Sequence, residues 1–92
     1  MTDEKILSEI GKRLIFLRKQ KGLTQVELAN RIGMEKSNYN ILEKGKSNPQ
    51  ILTYVKICSA LECDLKDLFF FEADLKKFIE YPKKYIPRKH KK

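Results

Sequence analysis

Apolar positions recur at helical spacing in five successive segments. No stretch alternates polar and apolar residues as a half-buried strand would. Ile6, Ile10, Leu14 and Leu17 share one face of a first helix, predicted from about Lys5 to Lys21. Lys19, Lys21 and Gly22 close it, with cations at the negative helix end and glycine just beyond. A second segment opens on Thr24-Gln25-Val26-Glu27, the spacing of a capping box, and ends at Gly33. Val26, Leu28, Ala29 and Ile32 are its apolar residues. The third runs from Lys36 to Glu43 and stops at Gly45. A fourth follows Asn48-Pro49, with asparagine as cap and proline at the first helical position. It keeps the helical period through Ile51, Val55, Cys58 and Leu61, with Tyr54 and Ile57 beside them. The fifth starts at Asp64, whose spacing to Asp67 resembles a capping box, and offers Leu65, Leu68 and Phe69 for burial.

The third segment differs from the others. Only Tyr39 and Leu42 look like core residues. The opposite face carries Ser37, Asn40, Ile41 and Lys44, flanked by Lys36 and Asn38. A helix of two turns needs packing to persist, and this one spends most of its surface on donors and acceptors. A capped short helix, a glycine-containing turn and a short polar helix together make a helix-turn-helix. The second helix of such a unit enters a major groove about 12 Å wide, so its outer face must carry hydrogen-bonding groups. The first helix crosses the DNA backbone with its N–H groups toward phosphate. Ala29 is small enough to let the second helix pack close behind.

At 92 residues the chain is one domain with one modest core. Residues 1–71 form the expected DNA-binding domain and 72–92 an extension. In the extension, Leu75, Phe78 and Ile79 suit a short helix over 72–81, Pro82 and Pro87 break continuity, and a basic tail ends in Arg88-Lys89-His90-Lys91-Lys92. The formal net charge of +8 is uneven: residues 1–71 hold 12 basic and 9 acidic groups, a net of +3, and the extension contributes +5. The excess suits a polyanion, and the tail is simplest as an electrostatic arm for DNA, the bland alternative being a solvated tail. With 41% hydrophobic and 35% charged residues the chain is expected to be neither disordered nor membrane-spanning. Its longest apolar run, Leu68-Phe69-Phe70-Phe71, is far short of the roughly 20 residues of a membrane span. The acidic, polar N-terminus is not expected to act as a secretory signal, and a cytoplasmic location is expected. Cys58 and Cys63 are expected as small core residues, with neither disulfide nor metal. No catalytic set of His, Cys or carboxylates converges and the four glycines are isolated, so neither an enzyme nor a cofactor is expected.

Leu17-Arg18…Gly22-Leu23-Thr24-Gln25-Val26-Glu27-Leu28-Ala29 resembles the LRxxxGLTQxxLA signature of phage-repressor-like regulators, the Cro-type or XRE family. Gly33, Leu42-Glu43-Lys44-Gly45-Lys46 and Asn48-Pro49 continue the match, and Leu61…Asp64-Leu65…Leu68-Phe69 is similar to its closing motif. The resemblance covers about residues 6 to 70. It implies an all-α, five-helix domain that binds double-stranded DNA. By position it implies base contact by Lys36, Ser37 and Ile41, and phosphate contact by Thr24, Gln25, Lys44, Lys46 and Asn48. It also implies a semi-buried ion pair between Arg18 and Glu43. From its chemistry Asn40 joins the base-contact set, able to pair with adenine N6 and N7, while Lys36 can donate to guanine. Ile41 meets a thymine methyl, a partner or nothing. Three positions depart from the family pattern: Glu35 for Ser or Thr, Tyr39 for Ile or Val, and Glu62 for Gly.

A single recognition helix reads few base pairs, so a dimer on a palindromic operator is expected. Phe70, Phe71, Leu75, Phe78 and Ile79 are the candidate dimer surface, the alternative being that they pack onto helices one and five. The expected role is a transcriptional repressor. The competing reading is a protein-binding adaptor or antitoxin-type partner, which the apolar segment 69–79 would serve.

Overall fold

A computed structural model of the chain describes residues 2–72 and 74–79. They form five α-helices and one 3-10 turn, with no strand among the described residues. The helices are α1 (Thr2–Gln20), α2 (Gln25–Arg31), α3 (Lys36–Glu43), α4 (Ile51–Leu61) and α5 (Leu65–Leu68), followed by the 3-10 turn Leu75–Phe78.

Four helices end in the same way. After α1, α2, α3 and α4 a residue in the left-handed region turns the chain, its N–H and the next one bonding back to the last helical carbonyls. After α1, Gly22 N–H donates to Lys19 at 2.9 Å and Leu23 N–H to Arg18 at 3.1 Å. After α4, Glu62 N–H donates to Ser59 at 3.2 Å and Cys63 N–H to Cys58 at 3.0 Å. Glycine makes the first three turns, and Glu62, at φ 55°, makes the fourth without it. The glutamate carboxylate reaches Lys21 Nζ at 2.6 Å across the molecule.

The core is one cluster: Leu14 and Leu17 of α1, Leu23, Leu28 and Ala29, Tyr39 and Leu42, Tyr54, Ile57, Cys58 and Leu61, and Leu68. α1 packs on α3, α5 and the 3-10 turn, α2 packs on α3 and α4, and α4 packs on α5. Two glycines set the α1–α3 distance. A Cβ on Gly11 would meet the carbonyl carbon of Glu43 at 2.9 Å and Leu42 O at 3.1 Å. A Cβ on Gly45 would lie 2.6 Å from Ser8 Cα and N, and Gly45 is at φ 70° besides. Helix backbone lies directly on turn backbone there, and only hydrogen fits between.

The structure corrects several sequence expectations. Ile6 and Ile10 are only half-buried, and Val26 is half exposed. α4 begins at Ile51 with Gln50 in the capping position, so Asn48 is no cap and Pro49 lies outside the helix. The buried stripe of α4 is Tyr54, Ile57, Cys58 and Leu61, while Ile51 and Val55 face outward. α4 carries two overlapping apolar stripes, and only packing chooses between them. Leu65 and Phe69 keep over a third of their surface exposed, although Phe69 meets Tyr54 edge-on at 5.6 Å between ring centres. Within the stretch 72–81 where a short helix is expected, the described residues form a 3-10 turn over Leu75–Phe78, capped by the Asp74 side chain on Lys76 N–H at 3.1 Å. Pro82, Pro87 and the basic tail lie outside the described residues. Cys58 is buried and Cys63 half-buried, both as free thiols. Burial, with Cys63 beside it, pushes the Cys58 thiol up to about 12.

Candidate nucleic-acid interface

α2 is placed by its cap. Thr24 N–H donates to Glu27 Oε1 at 2.9 Å and Glu27 N–H donates to Thr24 Oγ1 at 3.1 Å. The Thr24 hydroxyl accepts in this box, so its proton remains available to a phosphate. The backbone bond from Thr24 and the charge of Arg31 lower the Glu27 carboxyl below its usual range. α3 begins at Glu35, whose extended backbone starts the helix but whose side chain makes no capping bond. A carboxylate therefore stands exposed at the entry of the polar helix, near its positive end.

The inner side of α3 is fixed by an ion pair. Arg18 Nε donates to Glu43 Oε2 at 2.6 Å, Nη2 donates to Oε1 at 3.2 Å, and Nη1 donates to Leu23 O at 2.8 Å. The residues are 8% and 5% exposed. Burial pushes the Glu43 carboxyl up, but hydrogen bonds, that from Arg18 foremost, outweigh it and hold the group below the usual carboxylate range. The same hydrogen bond raises the Arg18 pKa against burial. Fork-to-fork geometry of this kind is the strong form of an ion pair. Tyr39 is wholly enclosed, and its hydroxyl finds no hydrogen-bond partner of good geometry although both charges lie near it. Burial, with the Glu43 charge, raises the phenol far above its ordinary range.

Glu43 Oε1 also accepts from Gln25 Nε2 at 2.8 Å, and the same Gln25 nitrogen donates to Asn40 Oδ1 at 3.0 Å. Both amide protons of Gln25 are thus committed inside the protein. What its side chain has left is a carbonyl oxygen, which a phosphate does not bind. The Asn40 oxygen needed for two-point pairing with adenine is engaged as well. Sequence spacing alone could not show this, because Gln25, Asn40 and Glu43 meet only once the helices cross.

Lys36, Ser37 and Asn38 are exposed, Ile41 is 40% exposed, and Asn40 is half-buried. Lys44, Lys46 and Asn48 are exposed along the turn that leaves α3. The five candidate dimer residues do not share one fate. Phe70 is 61% exposed, with the Arg13 guanidinium 5.3 Å from its ring centre and 4.8 Å from that of Phe16. Arg13 is held by a 2.7 Å bond from Nε to Asp67 O. Phe71, Leu75 and Phe78 are half-buried, Phe78 below Lys5 Nζ at 5.8 Å, and Ile79 is exposed. A second exposed apolar group, not singled out from sequence, is Ile51, Leu52 and Val55 on α4, with Leu52 at 64%. Among the described residues no cluster of His, Cys, Asp or Glu could hold a metal ion, and no helix is long and apolar enough to cross a membrane.

A short capped helix and a polar second helix, bridged by the Gln25 amide and backed by the α1–α3 ion pair, define a helix-turn-helix DNA-binding domain. The helix-turn-helix family HTH_3 matches residues 14–68, and the chain belongs to this XRE-type family of DNA-binding transcription regulators. An HTH-type transcriptional regulator of Archaeoglobus fulgidus is 37% identical over 60 residues, 65% of this chain and 86% of that protein. Antitoxin HipB of Escherichia coli K12 is 32% identical over 74 residues, 73% of this chain and 84% of its own. Among solved structures, the restriction-modification controller protein C.AhdI from Aeromonas hydrophila superposes with a TM-score of 0.69 at 33% identity, covering 72% of this chain and 96% of that one.

Proposed function

We propose that the chain is a cytoplasmic, sequence-specific repressor that binds a palindromic operator as a homodimer. The observation that carries this reading is the polar outer side of α3, where Lys36, Ser37 and Ile41 are exposed and Asn40 half-buried, with Lys44, Lys46 and Asn48 exposed beside it; we assign the first four to bases and the last three to phosphate. Thr24 contributes its hydroxyl proton to the backbone contact, and Gln25 its main-chain N–H. A protein seated in the groove keeps others from the same base pairs, so repression needs nothing beyond the domain. Symmetric reading places two copies of α3 about 34 Å apart. Two surfaces are available for the pairing: the Phe70, Phe71 and Ile79 side, and the Ile51, Leu52 and Val55 side of α4. Leu75 and Phe78 are partly used against α1, which favours α4. In sedimentation, Leu52→Asp then gives a monomer and Phe70→Asp leaves a dimer.

In-vitro selection of bound DNA at two salt concentrations tests the function. A palindromic motif is expected, with affinity that falls steeply as salt rises. Weak binding to all sequences alike overturns it. The exposed apolar group on α4, together with the likeness to an antitoxin, favours one second reading, in which the same fold holds a protein partner.

A further inference from the structure

The ion pair beneath α3 does more than hold two helices together: it fixes which way two amides point. An ionised carboxylate only accepts hydrogen bonds. Glu43, kept ionised by Arg18, faces the Gln25 amide at 2.8 Å, so the Gln25 atom there must be the nitrogen. That nitrogen also stands 3.0 Å from Asn40, so the Asn40 atom there must be the oxygen. Polarity is passed outward step by step, from Arg18 to Glu43 to Gln25 to Asn40. What Asn40 has left is Nδ2, two N–H donors with no partner among the described residues, on the same row of α3 as Lys36.

We infer that Asn40 is a specificity-determining residue that accepts keto bases and rejects amino bases, and that Gln25 is the positioning residue that makes it so. The inference rests on the proposed reading of DNA by α3. In the major groove guanine presents O6 and N7, and thymine presents O4, all acceptors that a pair of N–H donors can meet. Cytosine presents N4–H2, and adenine presents N6–H2 beside N7, so a donor-only side chain is set against a donor. This reverses the adenine pairing that an unrestrained asparagine would favour. The expected preference at one position of each half-site is on the order of tenfold for guanine or thymine over adenine or cytosine.

Binding-site selection on the full chain and two variants tests it. The wild type enriches guanine or thymine at one position per half-site. Asn40→Asp leaves the inner oxygen on Gln25 and turns the outer donor into an acceptor, so that position changes to cytosine or adenine while the rest of the motif stays. Gln25→Leu frees the Asn40 amide to rotate, so the guanine or thymine preference is lost and adenine, which a free asparagine pairs at N6 and N7, gains at that position. Nitrogen-15 NMR of the DNA-free protein adds a separate readout: the Gln25 side-chain protons exchange slowly and those of Asn40 exchange fast. Adenine enriched by the wild type at the position that Asn40→Asp alters overturns the assignment. So does a motif unchanged in both variants, or a fast-exchanging Gln25 amide. No enriched motif at all overturns the assignment together with the reading beneath it.

Discussion

The α1–α3 junction and the α4–α5 corner solve the same problem to different tolerances. At the junction, backbone lies on backbone, a glycine stands at each point of closest approach, and an ion pair is enclosed beside them. At the corner, the same helix-ending turn is made by Glu62 in a backbone region that costs a side chain about 1 kcal/mol or more. The corner accepts strain because its Cβ projects into solvent, where the carboxylate meets Lys21. The junction has no such outlet. Where a fold presents a binding helix, the tolerance is tightest behind it, not at its periphery.

Substitutions sharpen that contrast, and the largest effect belongs to the ion pair. Arg18→Met leaves a buried carboxylate without its cation and costs about 3–5 kcal/mol in urea denaturation at pH 7. The pH dependence gives the sign. In the native chain the Glu43 pKa is depressed, so its contribution is present above the unfolded value near 4.3 and is lost as pH falls through the lower folded value. In Arg18→Met the buried carboxyl rises above its unfolded value, and stability increases on acidification from pH 7 to pH 5. Equal pH profiles for the two proteins would break the argument.

Gly11→Ala comes next. Its methyl must displace the backbone at Leu42 and Glu43, at a cost of about 2–3 kcal/mol read from the denaturation midpoint. Tyr39→Phe works in the opposite direction. It removes a buried hydroxyl that lies near Glu43 without a hydrogen bond of good geometry, and stabilises the fold by about 1 kcal/mol or less in thermal unfolding. The smallest change is at the corner. Glu62→Gly relieves the left-handed backbone, loses an exposed ion pair worth little, and gains roughly 0.5 kcal/mol. A larger gain there than the loss at Gly11 would invert the comparison between the two regions.

What was legible in the sequence was local. The Thr24–Glu27 box starts α2, glycines 22, 33 and 45 end three helices, and α3 spans Lys36 to Glu43 as its spacing predicts. Each is decided by groups within five residues of one another. The start of α4 and its buried side were not legible, because Ile51 and Val55 are as apolar as Tyr54 and Ile57 and only the neighbouring helices select the stripe. The Gln25–Asn40 contact was hidden for a related reason: it joins residues 15 apart whose amides are chemically free to point either way until a third group orients them. For Leu75 and Phe78 the sequence left two choices, a dimer surface or packing on helices one and five, and α1 takes part of both residues.

The close seat of Gly45 on Ser8 has a further effect, on binding thermodynamics. Lys44, Lys46 and Asn48 leave the domain from a turn whose backbone α1 already pins. A loop that had to stiffen on meeting DNA would lose backbone freedom of about 1–2 kcal/mol for each residue ordered. Here that loss is incurred during folding, so under the proposed reading the attraction of these side chains for phosphate goes undiminished into association and residence time on DNA.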